Sequence, residues 1–175
     1  GPNAIGKVCD NADPAQIARA AEEAWRLQPV TVLVNNAGVS SFYKRAEFVT
    51  VEDWDPAFDI NVRGTFFWSA EIARRLFEVK LGGSIINMSS VAASQPLARL
   101  SVYGATKAAM DSLSRGLALE WADRGVRVNS IAPGWVDTDA LNLFFPWVAS
   151  LLVLGVQREQ RRATTLALCV APVHA

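Results

Sequence analysis

Apolar residues along this chain fall into short β-branched runs separated by longer segments with helical spacing. The sequence predicts three buried strands, at 30–34, 84–88 and 126–131. It predicts helices from Asp13 to about Leu27, from about Asp55 to Val79 and from Ser101 to Arg124. Alternating strands and helices are typical of right-handed βαβ units around a parallel sheet.

Capping and stop signals mark several of these boundaries. Asp13 is a good N-cap, and Pro14 follows it at the first helical position. The segment 50–53 (TVED) resembles a capping box that opens a helix. Gly125 stops the helix that begins at Ser101, and Pro133 ends the strand at 126–131. These signals therefore support one α/β domain.

Composition narrows the classes of function. The chain has 175 residues, half of them hydrophobic, and a formal net charge of zero. That balance argues against a nucleic-acid-binding protein. The two cysteines, Cys9 and Cys169, lack metal-ligand spacing. We interpret them as buried thiols in a reducing, cytoplasmic compartment, and predict no metal site.

Tyr103 and Lys107 are the strongest candidates for chemistry. Their i, i+4 spacing places both side chains on one face of a helix. A nearby ammonium favours the phenolate, so we expect Lys107 to lower the pKa of Tyr103. Ser90, thirteen residues before Tyr103, would bind the oxygen of a carbonyl or a secondary alcohol. Together they predict proton transfer at oxygen while a hydride moves at carbon.

Three further motifs accompany these residues in a fixed order: VNNAG at 34–38, DINVRGT at 59–65 and RVNSIAPG at 127–134. The set resembles the short-chain dehydrogenase/reductase family over roughly residues 8 to 140. The resemblance implies an α/β fold, an incomplete Rossmann-type three-layer sandwich with a parallel sheet. It also implies an NAD(P)-dependent oxidoreductase that interconverts a small-molecule secondary alcohol and a ketone.

The resemblance assigns catalytic roles to four residues. Tyr103 would be the acid/base, Ser90 would polarise the substrate oxygen, and Lys107 would also bind the nicotinamide ribose. Asn61 would sit at a kink in its helix and hold a water that relays protons to Lys107. Ser89 is the neighbour most easily confused with Ser90, but the thirteen-residue interval favours Ser90.

The same resemblance implies a dinucleotide site, for NAD or NADP alike. Besides Tyr103 and Lys107, its residues would be Asp10, Asn11, Asn35, Ala37, Gly38, Val136 and Thr138. A tight turn after a strand would explain the 35–38 segment equally well. The two interpretations are compatible, because the same turn can contact a cofactor through its backbone. Asp10 would lie near the adenine amino group, and 133–138 would hold the nicotinamide carboxamide.

The family's glycine-rich phosphate turn, T-G-x3-G-x-G, does not occur in this sequence. That turn carries backbone N–H groups to the cofactor pyrophosphate. We therefore expect a central part of an oxidoreductase, weakly active or inactive alone. The alternative is a non-catalytic partner that forms homo-oligomers or docks on full-length homologues. A strand at 7–9 would lack its neighbour, and would either move beside 30–34 or stay unpaired.

We divide the chain into a partial dinucleotide-binding and catalytic domain, 1–140, and an atypical lid-like segment with a tail, 141–175. Residues 140–156 carry no charge for seventeen positions. A substrate lid or exposed interface, a membrane contact and a non-native tail are the alternatives for this segment. Because Pro146 and Gly155 interrupt it, we expect no membrane span.

Overall fold

The computed structural model describes residues 4–40 and 42–134. Their centre is a three-stranded parallel sheet in the order β1-β2-β3, formed by β1 (Val32–Asn35), β2 (Gly83–Met88) and β3 (Val126–Ile131). The four α-helices in this part of the chain are α1 (Pro14–Leu27), α2 (Val51–Phe58), α3 (Thr65–Glu78) and α4 (Ser101–Trp121). The predicted strands and their contiguous pairing are confirmed.

The expected caps form. Asp13 caps α1 through its carboxylate, which accepts hydrogen bonds from the backbone N–H groups of Ala15 and Gln16. Thr50 and Asp53 make a reciprocal capping box at the start of α2. At the end of α4 a short 3₁₀ turn leads to Gly125, whose φ of 74° is left-handed.

The predicted helix from Asp55 to Val79 is wrong in its boundaries. The helical segment begins at Val51, four residues earlier, and tolerates Pro56 within α2. Between α2 and α3 the chain forms a π-helical segment, Asp59–Gly64. Such segments widen the helix by one residue and are frequent at functional sites. Asn61 lies inside this segment, where the family resemblance implied a kink.

The described residues form two layers of the expected, incomplete three-layer sandwich, the sheet and one layer of helices. Alternate strand residues, such as Leu33, Ile85 and Val128, are buried under the helices. They form one core with Ile72 and Leu76 of α3. On the opposite face of the sheet Val32 and Ile131 are 43% and 48% exposed. A second helical layer is not among the described residues, while the parallel Rossmann-type sheet is confirmed.

The predicted strand at 7–9 does not form. Residues 4–10 have no regular structure, and Val8 is fully exposed. Of the two outcomes anticipated for this segment, the unpaired one holds.

No helix within residues 4–40 and 42–134 is both long and apolar enough to cross a membrane. The 140–156 segment, Val136, Thr138, Cys169 and the boundary at residue 140 lie outside the described residues.

Candidate active site

Ser90 and Tyr103 meet at the carboxyl end of the sheet. The Ser90 hydroxyl lies beside the Tyr103 phenol and favours its phenolate form, which lowers the pKa of Tyr103 against the larger, raising effect of burial. On either side of Ser90, the backbone N–H of Ser89 donates to Ile131 at 2.7 Å and that of Val91 donates to Pro133 at 3.0 Å. These bonds tie the segment to the end of β3, so Ser90 is held in place from both sides.

Gly104 allows α4 to lie close to the turn that follows Ser90. Gly104 lies next to Tyr103 in the first turn of α4, and a Cβ built on it would lie 2.9 Å from the carbonyl oxygen of Ala92. Ala92 belongs to the 3₁₀ turn Val91–Ala93, which Ser90 caps. Backbone therefore packs directly on backbone here, and a side chain would separate α4 from the turn that follows Ser90.

Ser89 is distinguished from Ser90 by burial. Ser89 is 5% exposed and donates to the backbone carbonyl of Lys107 at 3.3 Å, so it ties β2 to α4. Of the two serines, Ser90 is the one whose hydroxyl affects the pKa of Tyr103. This difference supports the choice of Ser90, which rested on spacing.

Lys107 is buried beside the tyrosine. It is 4% exposed, and its Nζ donates to the carbonyl of Met88 at 2.7 Å and lies 5.7 Å from the centre of the Tyr103 ring. Burial lowers the pKa of Lys107 to about 8, against a smaller opposing effect of Asp111 one turn later. The ammonium is thus still the main form at pH 7.

The expected lowering of the phenol pKa is wrong for these residues by themselves. The pKa of Tyr103 is raised, because burial penalises the phenolate more than the hydrogen bond from Ser90 stabilises it. The Lys107 ammonium donates a hydrogen bond to the Met88 carbonyl, so less of its charge is available to stabilise the Tyr103 phenolate. Tyr103 is therefore a phenol at neutral pH.

Asn61 joins the loop after β1 to α4. It is fully buried; its Oδ1 accepts from the Val39 N–H at 2.7 Å, and its Nδ2 donates to the Val39 carbonyl at 2.9 Å. The same Nδ2 donates to Thr106 Oγ1 at 3.0 Å. Because the amide is engaged on both sides, the predicted water relay would have to use the backbone of this residue instead of its side chain.

Gly38 lies directly over this pair. A Cβ on Gly38 would be 3.3 Å from both Asn61 Oδ1 and Lys107 Nζ. Gly38 and Ala37 are nonetheless exposed. The backbone after β1 therefore forms an open surface next to the lysine ammonium, as a close-lying ligand requires.

The Asn35 side chain serves the fold. Its side chain is buried in the sheet, where Nδ2 donates to Asn87 Oδ1 at 2.8 Å and to Ser69 Oγ at 3.0 Å. Asn87 in turn donates to Ser114 at 2.8 Å, so a polar chain crosses from α3 to α4. The amide of Asn35 holds the fold together, and a cofactor contact would have to come from its backbone.

Asp10 and Asn11 form a turn that packs on the start of α3. Asp10 caps its own turn through the Ala12 N–H at 2.8 Å, and Asn11 Oδ1 accepts from Trp68 Nε1 at 3.1 Å. Arg63 donates to the Ala12 carbonyl at 2.8 Å. The Asp10 side chain is exposed and accessible, whereas that of Asn11 is engaged with Trp68.

The sequence of this chain is similar to those of known proteins. The family model described as short chain dehydrogenase matches residues 1–148. The chain belongs to the short-chain dehydrogenase family. A D-threitol dehydrogenase of Mycolicibacterium smegmatis is 40% identical over 135 residues, which cover 77% of this chain and 51% of that protein. The chain thus spans about half the length of the curated relatives it matches.

Solved structures agree on the fold. A gluconate 5-dehydrogenase from Burkholderia cenocepacia, in complex with NADP and tartrate, has a TM-score of 0.73 at 30% identity. An NAD⁺-bound xylitol dehydrogenase has a TM-score of 0.73 at 26% identity. Each match covers 77% of this chain and 52% of the other.

Thr106 is a site residue that the sequence did not predict. It is fully buried, accepts from Asn61 and donates to the Tyr103 carbonyl at 2.8 Å. Its position between Tyr103 and Lys107 was the available signal. A threonine inside a helix is usually unremarkable, because its hydroxyl can bond its own helix backbone.

Proposed function

We propose that the protein containing these residues is an NAD(P)-dependent oxidoreductase that interconverts a secondary alcohol and a ketone. The Lys107 ammonium, buried with its Nζ 5.7 Å from the centre of the Tyr103 ring, is the observation that carries this proposal, and the Ser90 hydroxyl beside the same phenol supports it. Membership of the short-chain dehydrogenase family supports it. A sugar alcohol or a related polyol is the proposed substrate class, since the relatives include dehydrogenases of threitol, sorbitol and galactitol.

Tyr103 would move the proton. With its pKa raised, the phenol is protonated at neutral pH and ready to donate to a carbonyl oxygen as that oxygen gains negative charge. Ser90, whose hydroxyl lies beside the phenol, would hold the same oxygen. In the opposite direction Tyr103 must accept the proton of an alcohol, and the positive charge of Lys107 stabilises the resulting phenolate.

The residues fit a dinucleotide, which when bound would supply or accept the hydride. The open backbone at Ala37 and Gly38 and the adjacent Lys107 ammonium would hold it, with Asp10 at the edge. Asn11 and Asn35 would contribute through the backbone. Asn61 would act beside Lys107 in proton transfer, while Val136 and Thr138 remain proposed ligands of the nicotinamide. The proposed cofactor is NAD or NADP.

A cofactor titration tests the proposal on this chain. NADH and NADPH fluorescence would be followed up to millimolar concentration, with Lys107→Met as the matched variant. Saturable binding that weakens in Lys107→Met is expected under the proposal. Absence of saturable binding by the unsubstituted chain would remove the enzymatic function for these 175 residues.

The acid/base role is tested separately, because the sequence lacks the glycine-rich turn. We expect ketone reduction by this chain to match that of Tyr103→Phe. In a chimera that adds the glycine-rich segment and the closing strand of a related dehydrogenase, Tyr103→Phe should abolish turnover. A chimera that works equally well without the phenol hydroxyl would refute the role of Tyr103.

A second candidate is a non-catalytic partner that associates with copies of itself or with full-length homologues. The unpaired edge of β1 favours it, since in the described residues that strand bonds only β2. The same cofactor titration discriminates the two candidates.

A further inference from the structure

Thr106 connects the π-helical segment with α4, two segments that the proposed reaction needs in register. Its hydroxyl accepts a hydrogen bond from Asn61 Nδ2 at 3.0 Å and donates one to the Tyr103 carbonyl at 2.8 Å. Asn61 belongs to the π-helical segment and Tyr103 to α4. Thr106 is fully buried, so neither bond competes with water.

Asn61 carries the connection to the loop after β1. Its amide pairs with both backbone groups of Val39, in the manner of one peptide unit bonded to another. The preceding residue, Gly38, lies over Lys107 Nζ. A displacement of the Asn61 amide would therefore move the loop that flanks the lysine.

We propose that Thr106 is a positioning residue that fixes the Gly38–Val39 loop against α4 through the Asn61 amide. The inference rests on the proposed function in one respect: the purpose of the connection is to hold the cofactor-side loop in register with Tyr103 and Lys107. The hydroxyl does this because it bonds the amide and the helix backbone at once, whereas a methyl group in its place bonds neither.

Amide hydrogen exchange of Val39 reports the connection directly, because its N–H is bonded to Asn61 Oδ1. Thr106→Val keeps the side-chain shape and removes the hydroxyl. Loss of one neutral hydrogen bond should speed Val39 exchange by about five- to tenfold. Exchange of Ile85, in the central strand, serves as the reference for global unfolding.

Two variants separate positioning from packing. Thr106→Ser retains the hydroxyl and should keep Val39 exchange at the wild-type rate. Ser112→Ala removes a hydroxyl from the exposed side of the same helix and should change neither amide. Unchanged Val39 exchange in Thr106→Val, or equal acceleration in Thr106→Ser, would overturn the inference.

The proposed function can be wrong while this inference is right, and the experiments distinguish the two. NADH binding measured on the same variants should weaken in Thr106→Val and be restored in Thr106→Ser. Equal affinity in wild type and Thr106→Val would overturn the stated purpose of the connection. A wild-type chain that binds no NADH counts against the proposed function alone, since Val39 exchange still decides whether Thr106 holds the loop.

Discussion

At the scale of single residues, burial decides the protonation states of the site. Tyr103 is partly buried and Lys107 is buried, and desolvation moves each toward its neutral form. The phenol therefore holds its proton more tightly, and the lysine holds its proton less tightly, than either would in water. The lowered pKa brings Lys107 closer to neutral pH, whereas the raised pKa takes Tyr103 farther from it, so the phenol is set to donate a proton and needs nearby positive charge to accept one.

Lys107 should make stability depend on pH. Its pKa falls from 10.5 to about 8 on folding, so between these values the unfolded chain binds more protons. The free energy of unfolding should therefore rise with pH across this window, and the cost of burying the charge is present in full below it. Relative to Lys107→Met, the wild type should gain on the order of 2 kcal/mol from pH 8 to 10.5.

Urea unfolding of both proteins at several pH values measures this difference. Tyr103 is present in both and its own titration largely cancels. A gap between wild type and Lys107→Met that does not change with pH would show that the lysine is as well solvated in the folded protein as in the unfolded one.

At the scale of elements, the first turn of α4 is positioned by backbone contact. Gly104 leaves 2.9 Å between its built Cβ and the Ala92 carbonyl, while Gly116 in the same helix has nothing within 4 Å. There is therefore space for a side chain at Gly116 but not at Gly104. Helix propensity favours alanine at both by roughly 1 kcal/mol.

Alanine at these two glycines should act in opposite directions. Gly116→Ala should stabilise the protein by about 0.5–1 kcal/mol, as expected for an open helix position. Gly104→Ala should destabilise it by about 1–3 kcal/mol, since backbone must move to admit the methyl group. Thermal or urea unfolding checks both. Stabilisation by Gly104→Ala would mean that α4 and the turn after Ser90 separate freely.

At the scale of the whole molecule, the sheet has an open edge and an open face. In the described residues β1 bonds only β2, and Val32 on that strand is 43% exposed. Unpaired strand edges beside apolar side chains recruit further strands. The chain by itself should therefore self-associate, as its sequence predicted.

Val32→Lys should reduce that association, because a charge on an edge strand opposes strand addition. Light scattering over a range of concentrations measures it, and Val51→Lys, at an exposed position on α2, is the matched control. A monomeric wild type with slow amide exchange throughout residues 32–35 would show that another part of the chain covers the edge.

Local signals gave most of the fold correctly. The three strands were located to within two residues, because β-branched runs bounded by turns are strong signals. The capping box at Thr50 correctly marked a helix start, whereas the longer helix was expected only from about Asp55, four residues after the true start at Val51. The π-helical segment depends on how Asn61 bonds to Val39, twenty-two residues away.

The sequence by itself determined which residues have chemistry and in what order they occur: the Tyr103–Lys107 spacing, Ser90 and the motif at 34–38. These are local properties, fixed by helical periodicity and strand pattern. Tertiary structure decided the rest. It turned the Asn35 amide into the sheet, placed Thr106 under Asn61 and raised the pKa of Tyr103. Each of these depends on burial or on a partner far away in the chain, and neither is encoded within a few residues of the group concerned.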